Sequence, residues 1–485
     1  MKRTKKETLL QNFEWYLVDD GSYWRSVSKQ APSLAQLGIT KVWLPPAYKG
    51  HNGKYDVGYG VYDLYDLGEF NQKDTVRTRY GTKEEYLQAI KALQESGIEV
   101  LGDIVFNHIM GGDEQESVLV EEVDEEDRTK AITKPYWRDI YTKFTFKGRN
   151  KKYSDFEWCA KYYNGCDVMN EDGCGIVRFV GKDWSPLVSK EQGNFDYTMG
   201  YNIDVSVPEV VEELNRWGRW YLDTTGIDGF RIDSAKSIDA EFFNRWLKAM
   251  EEHDGKEHFC VGEYWSGDIE DLKTYFNQSH FAMKLFDVPL HFKLVDAAKY
   301  RHEYDFHQIF NETLTGDYPD FAVPFVDNHD TQPDQSLESW VPEDFKLRAY
   351  ALLLLRDIAY PTVFYGDLYG ISHSHIPPVK HLEELIWIRT HFLGDELIDL
   401  NDDDHSKMAW YVEGEHPVFV VLSGNDAKKA TFHNPKYAGA TLVDLVHPQS
   451  TVAVDSEGNG ELFCPADDIA VYLLIDDYKV IAERQ

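Results

Sequence analysis

Apolar residues change their period repeatedly along this chain. Stretches with an apolar residue every three or four positions stop at a glycine, and a short apolar run led by isoleucine follows. The pattern occurs at Leu34-Ala35-Gln36-Leu37-Gly38-Ile39 into Lys41-Val42-Trp43-Leu44, and at Ser96-Gly97-Ile98 into Val100-Leu101-Gly102-Asp103-Ile104-Val105. It recurs at Thr225-Gly226-Ile227 into Gly229-Phe230-Arg231-Ile232-Asp233. Glycine just past a helix takes the left-handed conformation that closes it, so each stretch reads as helix, stop, strand. Thr82 with Glu85 predicts a capping box ahead of Tyr86, Leu87, Ile90 and Leu93. Pro208 suits a first helical turn and precedes Val211, Leu214, Trp217 and Tyr221. A further helix from Asp239 carries Phe242, Phe243, Trp246 and Met250 into a strand over His258–Trp265. Such alternation makes βαβ units with parallel strands, and this many predict a (β/α)8 TIM barrel.

Two regions depart from the alternation. Residues 108–207 hold an acidic run (Glu121–Asp127), scattered aromatics and many Gly and Asp. That is far beyond a connecting loop of ~4–6 residues, so an inserted irregular β-rich domain is expected after the third barrel strand. From residue 397 the period becomes two, in Met408–Val412, Val418–Leu422, Thr441–Leu445 and Ile469–Leu474. This predicts a C-terminal antiparallel β-sandwich. The expected division is a barrel of residues 1–107 and 208–396, an insertion of 108–207 and a C-terminal domain of 397–485.

Composition narrows the function. Fifty Lys+Arg against 84 Asp+Glu give a formal charge of −34. So acidic a chain is unsuited to nucleic acid or anionic membrane, whose phosphates are bound by basic residues. High charge often accompanies disorder, but 13 Trp, 30 Tyr and 26 Phe require a folded core. No apolar run reaches the ~18 residues of a membrane span, and no apolar stretch follows the basic amino terminus. A cytoplasmic protein is expected, or a secreted one if the sequence is a trimmed form. Cysteines 159, 166, 174, 260 and 464 are odd in number and lack a Cys-x-x-Cys pair, which reads as free thiols. A monomer is expected.

In a barrel of this type, reactive side chains project from the carboxyl ends of the strands. Those ends read Asp103-Ile104-Val105-Phe106-Asn107-His108, Phe230-Arg231-Ile232-Asp233, Val261-Gly262-Glu263-Tyr264-Trp265 and, for strand seven, Phe325-Val326-Asp327-Asn328-His329-Asp330. A lone carboxylate there is often half of a structural ion pair. Carboxylates at strands four, five and seven suit glycoside hydrolysis, which needs one ionised and one protonated carboxyl. Arg231 and Asp233 share a strand face, so the guanidinium is expected to lower the Asp233 pKa. Glu263, beside Tyr264 and Trp265, is expected to have a raised one. His108 and His329 can donate to sugar hydroxyls or serve as satisfied structural histidines.

These four segments, in this order and spacing, resemble the signature regions of the α-amylase family of glycoside hydrolases. Gln11-Asn12-Phe13-Glu14-Trp15-Tyr16, Asp56-Val57-Gly58-Tyr59-Gly60, Tyr62 to Phe70, Val76 to Thr82, Phe286 to His291 and Phe364-Tyr365-Gly366-Asp367 extend the likeness to bacterial liquefying-type members. The resemblance implies Asp233 as nucleophile, Glu263 as acid/base and Asp330 as third carboxylate. It implies Arg231 as the orienter of Asp233, and Tyr59, His108, His329, Lys236 and Trp265 as substrate contacts. The implied substrate is an α-glucan such as starch, glycogen or maltodextrin, cut at internal α-1,4 bonds with retention. The resemblance also implies Ca2+, held by Asn107, Asp196, Asn202, Asp204 and the main-chain carbonyl of Ser237. Asn202 stands where relatives usually carry Asp, Ser237 where they carry His, and Asp167 and Asp183 leave a second cation site open. Three rivals remain: an enzyme that transfers the glycosyl unit or releases one defined maltooligosaccharide, a non-catalytic relative, and a metal-dependent hydrolase. The last lacks a His-x-His at the first strand.

Overall fold

The computed structural model describes residues 6–170, 173–356 and 358–484. The chain divides into two compact units. One comprises Met1–Tyr16, Ser33–Val42 and Phe286–Gln485, and the other Leu17–Pro32 and Trp43–Leu285. The barrel strands are β1 (Leu9–Gln11), β2 (Lys41–Leu44), β3 (Glu99–Ile104), β4 (Gly229–Ile232), β5 (Phe259–Gly262), β6 (Lys284–Phe286), β7 (Ala322–Val323) and β8 (Thr362–Phe364). They form one sheet in the order β7-β6-β5-β4-β3-β2-β1-β8, and a parallel bridge from Phe325 to Thr362 nearly closes it. This is a TIM barrel with additional antiparallel sheets. The strands β2 and β6 each run through a unit boundary.

Local sequence explains the alternation. Gly38, Gly97 and Gly226 all have positive φ, at 107°, 82° and 63°, where an L side chain would be strained. The helix Lys83–Glu95 carries the capping box of Thr82 with Glu85, and it buries Tyr86, Ala89, Ile90 and Leu93. Pro208 opens the helix Pro208–Thr225, and the Asp239 side chain caps Ala240–Asp254 by accepting from Glu241 and Phe242 N–H.

Two expectations about strands are corrected. Strand five is shorter than His258–Trp265, which puts Glu263 just past its end. Strand seven does not run over Phe325–Asp330; it is Ala322–Val323 with the bridge at Phe325. The Asn328 side chain accepts the N–H groups of Asp330 and Thr331 at 2.8 and 2.9 Å, turning the chain out of the sheet.

The insertion is more regular than expected. Its antiparallel sheet runs His108–Ile109, Tyr201–Ile203, Tyr163–Asn170, Gly173–Phe179, Glu114–Glu122, Tyr136–Lys143. Charged residues conceal the strand Glu114–Glu122, whose buried side chains are Val118 and Val120. The C-terminal region forms a six-stranded antiparallel sheet and a two-stranded ribbon. In the ribbon strand Lys428–His433 only Ala430 and Phe432 are buried, as period two requires, and they join a core with Tyr411, Phe419, Leu442 and Tyr472. Cys159, Cys260 and Cys464 are free thiols, Cys166 is buried, and the side chain of Cys174 lies outside the described residues. Among the described residues no helix is long and apolar enough to cross a membrane.

A buried ion network anchors the turn after β7. Lys346 Nζ donates to Asp327 at 2.8 Å and to Asp367, and it sits 3.1 Å from the Trp340 ring centroid. Thr331 donates to Asp327 at 2.8 Å and Tyr350 to Asp367 at 2.6 Å. All three charged side chains are fully buried. Removing the only cation strands two carboxyls in a low-dielectric interior. Lys346→Met is therefore expected to cost about 3–5 kcal/mol of stability, read from urea unfolding.

Candidate active site

Three strands in register assemble one cluster of charge. On adjacent β3 and β4, Asp103 pairs with Arg231, and on β4 and β5, Ile232 pairs with Gly262. The ladder continues past the strands, with Asp233 N donating to Ile104 O and Glu263 N to Ile232 O, both at 2.9 Å. Asp233 and Glu263 are thus the first residues beyond two neighbouring strand ends. Ser234, next in the chain, is held at φ 43°, an uncommon conformation for a residue with a side chain, and its N–H donates to Glu263 at 3.1 Å.

Arg231 stands at the centre. Its Nη1 donates to Asp103 at 2.9 Å and to Asp233 at 2.6 Å, and its Nη2 donates to Glu263 at 2.6 Å. The Arg231 and Asp103 side chains are 1% and 0% exposed, whereas Asp233 and Glu263 keep 13% and 10%. The first two therefore support, and the last two face outward. The second oxygen of Asp103 accepts from Trp43 Nε1 and from the Tyr59 hydroxyl, each at 2.9 Å. Tyr59 also lies beside the Arg231 guanidinium, 5.7 Å from its ring centroid.

One guanidinium cannot balance three buried carboxylates. Burial raises the pKa of Asp103 and Glu263, with Arg231 pulling each down. Burial likewise lifts Asp233 to about 6, although Arg231 and a hydrogen bond from Glu263 oppose it. The expectation of a lowered Asp233 is therefore corrected: desolvation outweighs the guanidinium, which is shared three ways. That bond from Glu263 favours the charged form of Asp233.

The other predicted contacts are placed as follows. Lys236 Nζ donates to Glu191 at 2.6 Å and to the Trp265 carbonyl at 3.1 Å, and lies 4.2 Å from the Phe195 ring centroid. His108 is buried, and that burial holds its pKa down at about 4, so the ring is neutral. Its Nε2 donates to the Tyr59 carbonyl at 2.7 Å and its Nδ1 is 3.2 Å from the Thr198 hydroxyl. Both ring nitrogens are thus engaged within the protein, which makes His108 a support for Tyr59. His329 and Asp330 belong to the unit that holds β1 and β8. There Gln11 Nε2 donates to His329 Nδ1 at 2.9 Å, which leaves the ring proton on Nε2, 3.3 Å from Asp330. Trp15 stacks on the His329 ring at 6.0 Å.

The residues expected to hold a cation separate into two groups. Asn107 Nδ2 donates to the carbonyls of Asp196 and Ser237 at 2.8 and 2.9 Å. Asn164 bridges the Asp196 carboxylate and Asn202, at 2.7 and 2.8 Å. Burial lifts Asp196 to about 6, and among the described residues no basic side chain pairs with it. Asn202 Oδ1 is buried without a hydrogen-bond partner. A carboxylate, an orphaned amide oxygen and two converging carbonyls are hard oxygen donors, so this group fits calcium. The second group does not. Asp204 pairs with Lys182 at 2.8 Å, and Asp167 and Asp183 are exposed, Asp167 accepting from Tyr197.

Sequence reasoning missed Asp103, Trp43, Gln11, Glu191 and Asn164. Of these only Asp103 carried a signal, an acid among the apolar residues Val100, Leu101, Ile104 and Val105.

A family model, the catalytic domain of α-amylase, matches residues 19–416. The chain belongs to the α-amylase family. An α-amylase of Geobacillus stearothermophilus is 44% identical over 478 residues, covering 96% of this chain and 86% of that protein. A cytoplasmic α-amylase of Escherichia coli (strain K12) is 40% identical over 491 residues, covering 97% and 99%. The α-amylase fold is matched by a crystal structure of an α-amylase from Geobacillus thermoleovorans complexed with acarbose. Its TM-score is 0.61 at 17% identity, with 98% and 99% of the two chains covered.

The raised carboxyls of this α-amylase family member set its pH response. Below the Asp233 pKa the carboxylate gains a proton and loses its charge. The acid limb of kcat/KM on soluble starch is expected near pH 6, well above the ordinary carboxylate range. A pH series of initial rates measures it, and an acid limb near pH 4 contradicts it.

Proposed function

We propose that the protein is an α-amylase that cuts internal α-1,4-glucosidic bonds of starch, glycogen or maltodextrins with retention. The observation that carries this reading is the pair Asp233 and Glu263 on one guanidinium, one charged and the other holding the proton. Asp233 attacks the anomeric carbon while Glu263 gives its proton to the departing glycosidic oxygen. Water then attacks the same carbon, Glu263 takes its proton back, and Asp233 is released. The two carboxyls bind one guanidinium at 2.6 Å each, and that closeness supports retention, because an inverting pair needs a gap of ~6.5–9.5 Å for the attacking water. Arg231 and Asp103 hold the pair, Tyr59 offers a ring to a sugar face, and Asp330 is the third carboxylate, holding substrate hydroxyls.

Calcium is proposed as the resident ion, held by Asn107, Asp196, Asn202 and the Ser237 carbonyl. It supplies charge that the buried Asp196 otherwise lacks. Cytoplasmic residence is supported by the free thiols at 159, 260 and 464 and by the likeness to the cytoplasmic relative.

Glu263→Gln is expected to lose about 10²–10⁴-fold in kcat on soluble starch, with products from maltoheptaose showing internal cleavage by wild type. Full activity in that variant contradicts the assignment, and transfer products in place of hydrolysis contradict the reaction class. Chelation should lower the Tm, and Asn202→Asp should tighten calcium binding about tenfold or more, because affinity follows ligand charge. A Tm indifferent to chelator in both proteins removes the ion from the reading.

A further inference from the structure

We propose that Asp305, His307 and His405 form a binding site for a borderline-soft divalent cation of the zinc type. The three ligand atoms lie within 4.8 Å of one another. Asp305 and His307 are brought together by the short turn Phe306–Gln308, which the Asp305 side chain caps by accepting the His307 N–H at 3.0 Å. His405 arrives from the segment before the strand Lys407–Glu413, and its carbonyl accepts the Phe306 N–H at 2.9 Å. This main-chain bond fixes the two segments side by side. The imidazoles face each other with centroids 4.5 Å apart, and His405 Nδ1 lies 2.8 Å from Asp305 Oδ1.

One atom makes this more than an ion pair. His307 Nε2 is buried and has no hydrogen-bond partner. A buried imidazole nitrogen without a partner costs free energy, and a metal ion repays it as readily as a hydrogen bond does. The donor set selects the ion. Two imidazoles and one carboxylate fall short of the six to eight oxygens calcium takes, but they match the three protein ligands and one open position of tetrahedral zinc. His405 and Asp305 keep 56% and 39% of their side chains exposed, which gives the ion an entry path and leaves water as its fourth ligand. The bound ion would tie the turn after the helix Val288–Tyr300 to the start of the C-terminal strands.

The test uses the full chain, stripped of metal and then held in excess calcium so that oxygen-rich sites are filled. Titration with Zn2+ by calorimetry is expected to show one equivalent in wild type and in Asp196→Asn. Binding should be at least tenfold weaker, or absent, in His307→Gln and in His405→Gln. Co2+ should give the intense visible bands of a tetrahedral site in wild type and not in His405→Gln. Both histidine variants should keep wild-type activity on starch without added metal, which shows that they fold. No zinc binding by wild type in excess calcium overturns the proposal. So does an unchanged stoichiometry and cobalt spectrum in folded histidine variants.

Discussion

One guanidinium faces three carboxylates and cannot neutralise them all, and the charged cluster at the strand ends is built around that imbalance. Arg231 and Asp103 are buried in register on adjacent strands, so neither can move away from the other. Asp233 and Glu263 bind the same guanidinium from the strand ends. Charge that Arg231 does not balance is removed most cheaply by a proton, and the site therefore stores one. The stored proton follows from the arithmetic of buried charge, and Trp43 and Tyr59 confine it to the outward pair by saturating Asp103.

The barrel was largely legible because its signals are local. A helix that stops at a glycine with positive φ, followed at once by a strand, is written in a few consecutive residues. Strand seven was misread because Phe325 and Val326 continue an apolar run into residues whose turn depends on the Asn328 side chain, a contact that pattern alone does not carry. The insertion hid its sheet for another reason. In a strand such as Glu114–Glu122, buried on one side only, few positions are apolar, and acidic residues on the wet face overwhelm the alternation.

The site was legible by residue type and opaque in its energetics. The outward carboxylates were named from strand ends, but the sign of the Asp233 shift depends on how many acids share Arg231, and only register reveals that Asp103 is one of them. The same holds for His108, whose two ring nitrogens are engaged by residues distant in sequence. The charge of −34 now has internal structure. A few acids are buried with partners, Asp196 is buried without a basic one, and exposed residues such as Asp167 and Asp183 stay in water.

The pairing of β1 with β8 bears on how the chain is made. Leu9, Leu10 and Gln11 are made early, yet their partners Thr362, Val363 and Phe364 come after most of the barrel has been synthesised. Until then the apolar Leu9 and Leu10 have one unpaired edge, and the unit that contains them cannot close. The barrel's β1 edge thus waits for a strand more than three hundred residues further along the chain.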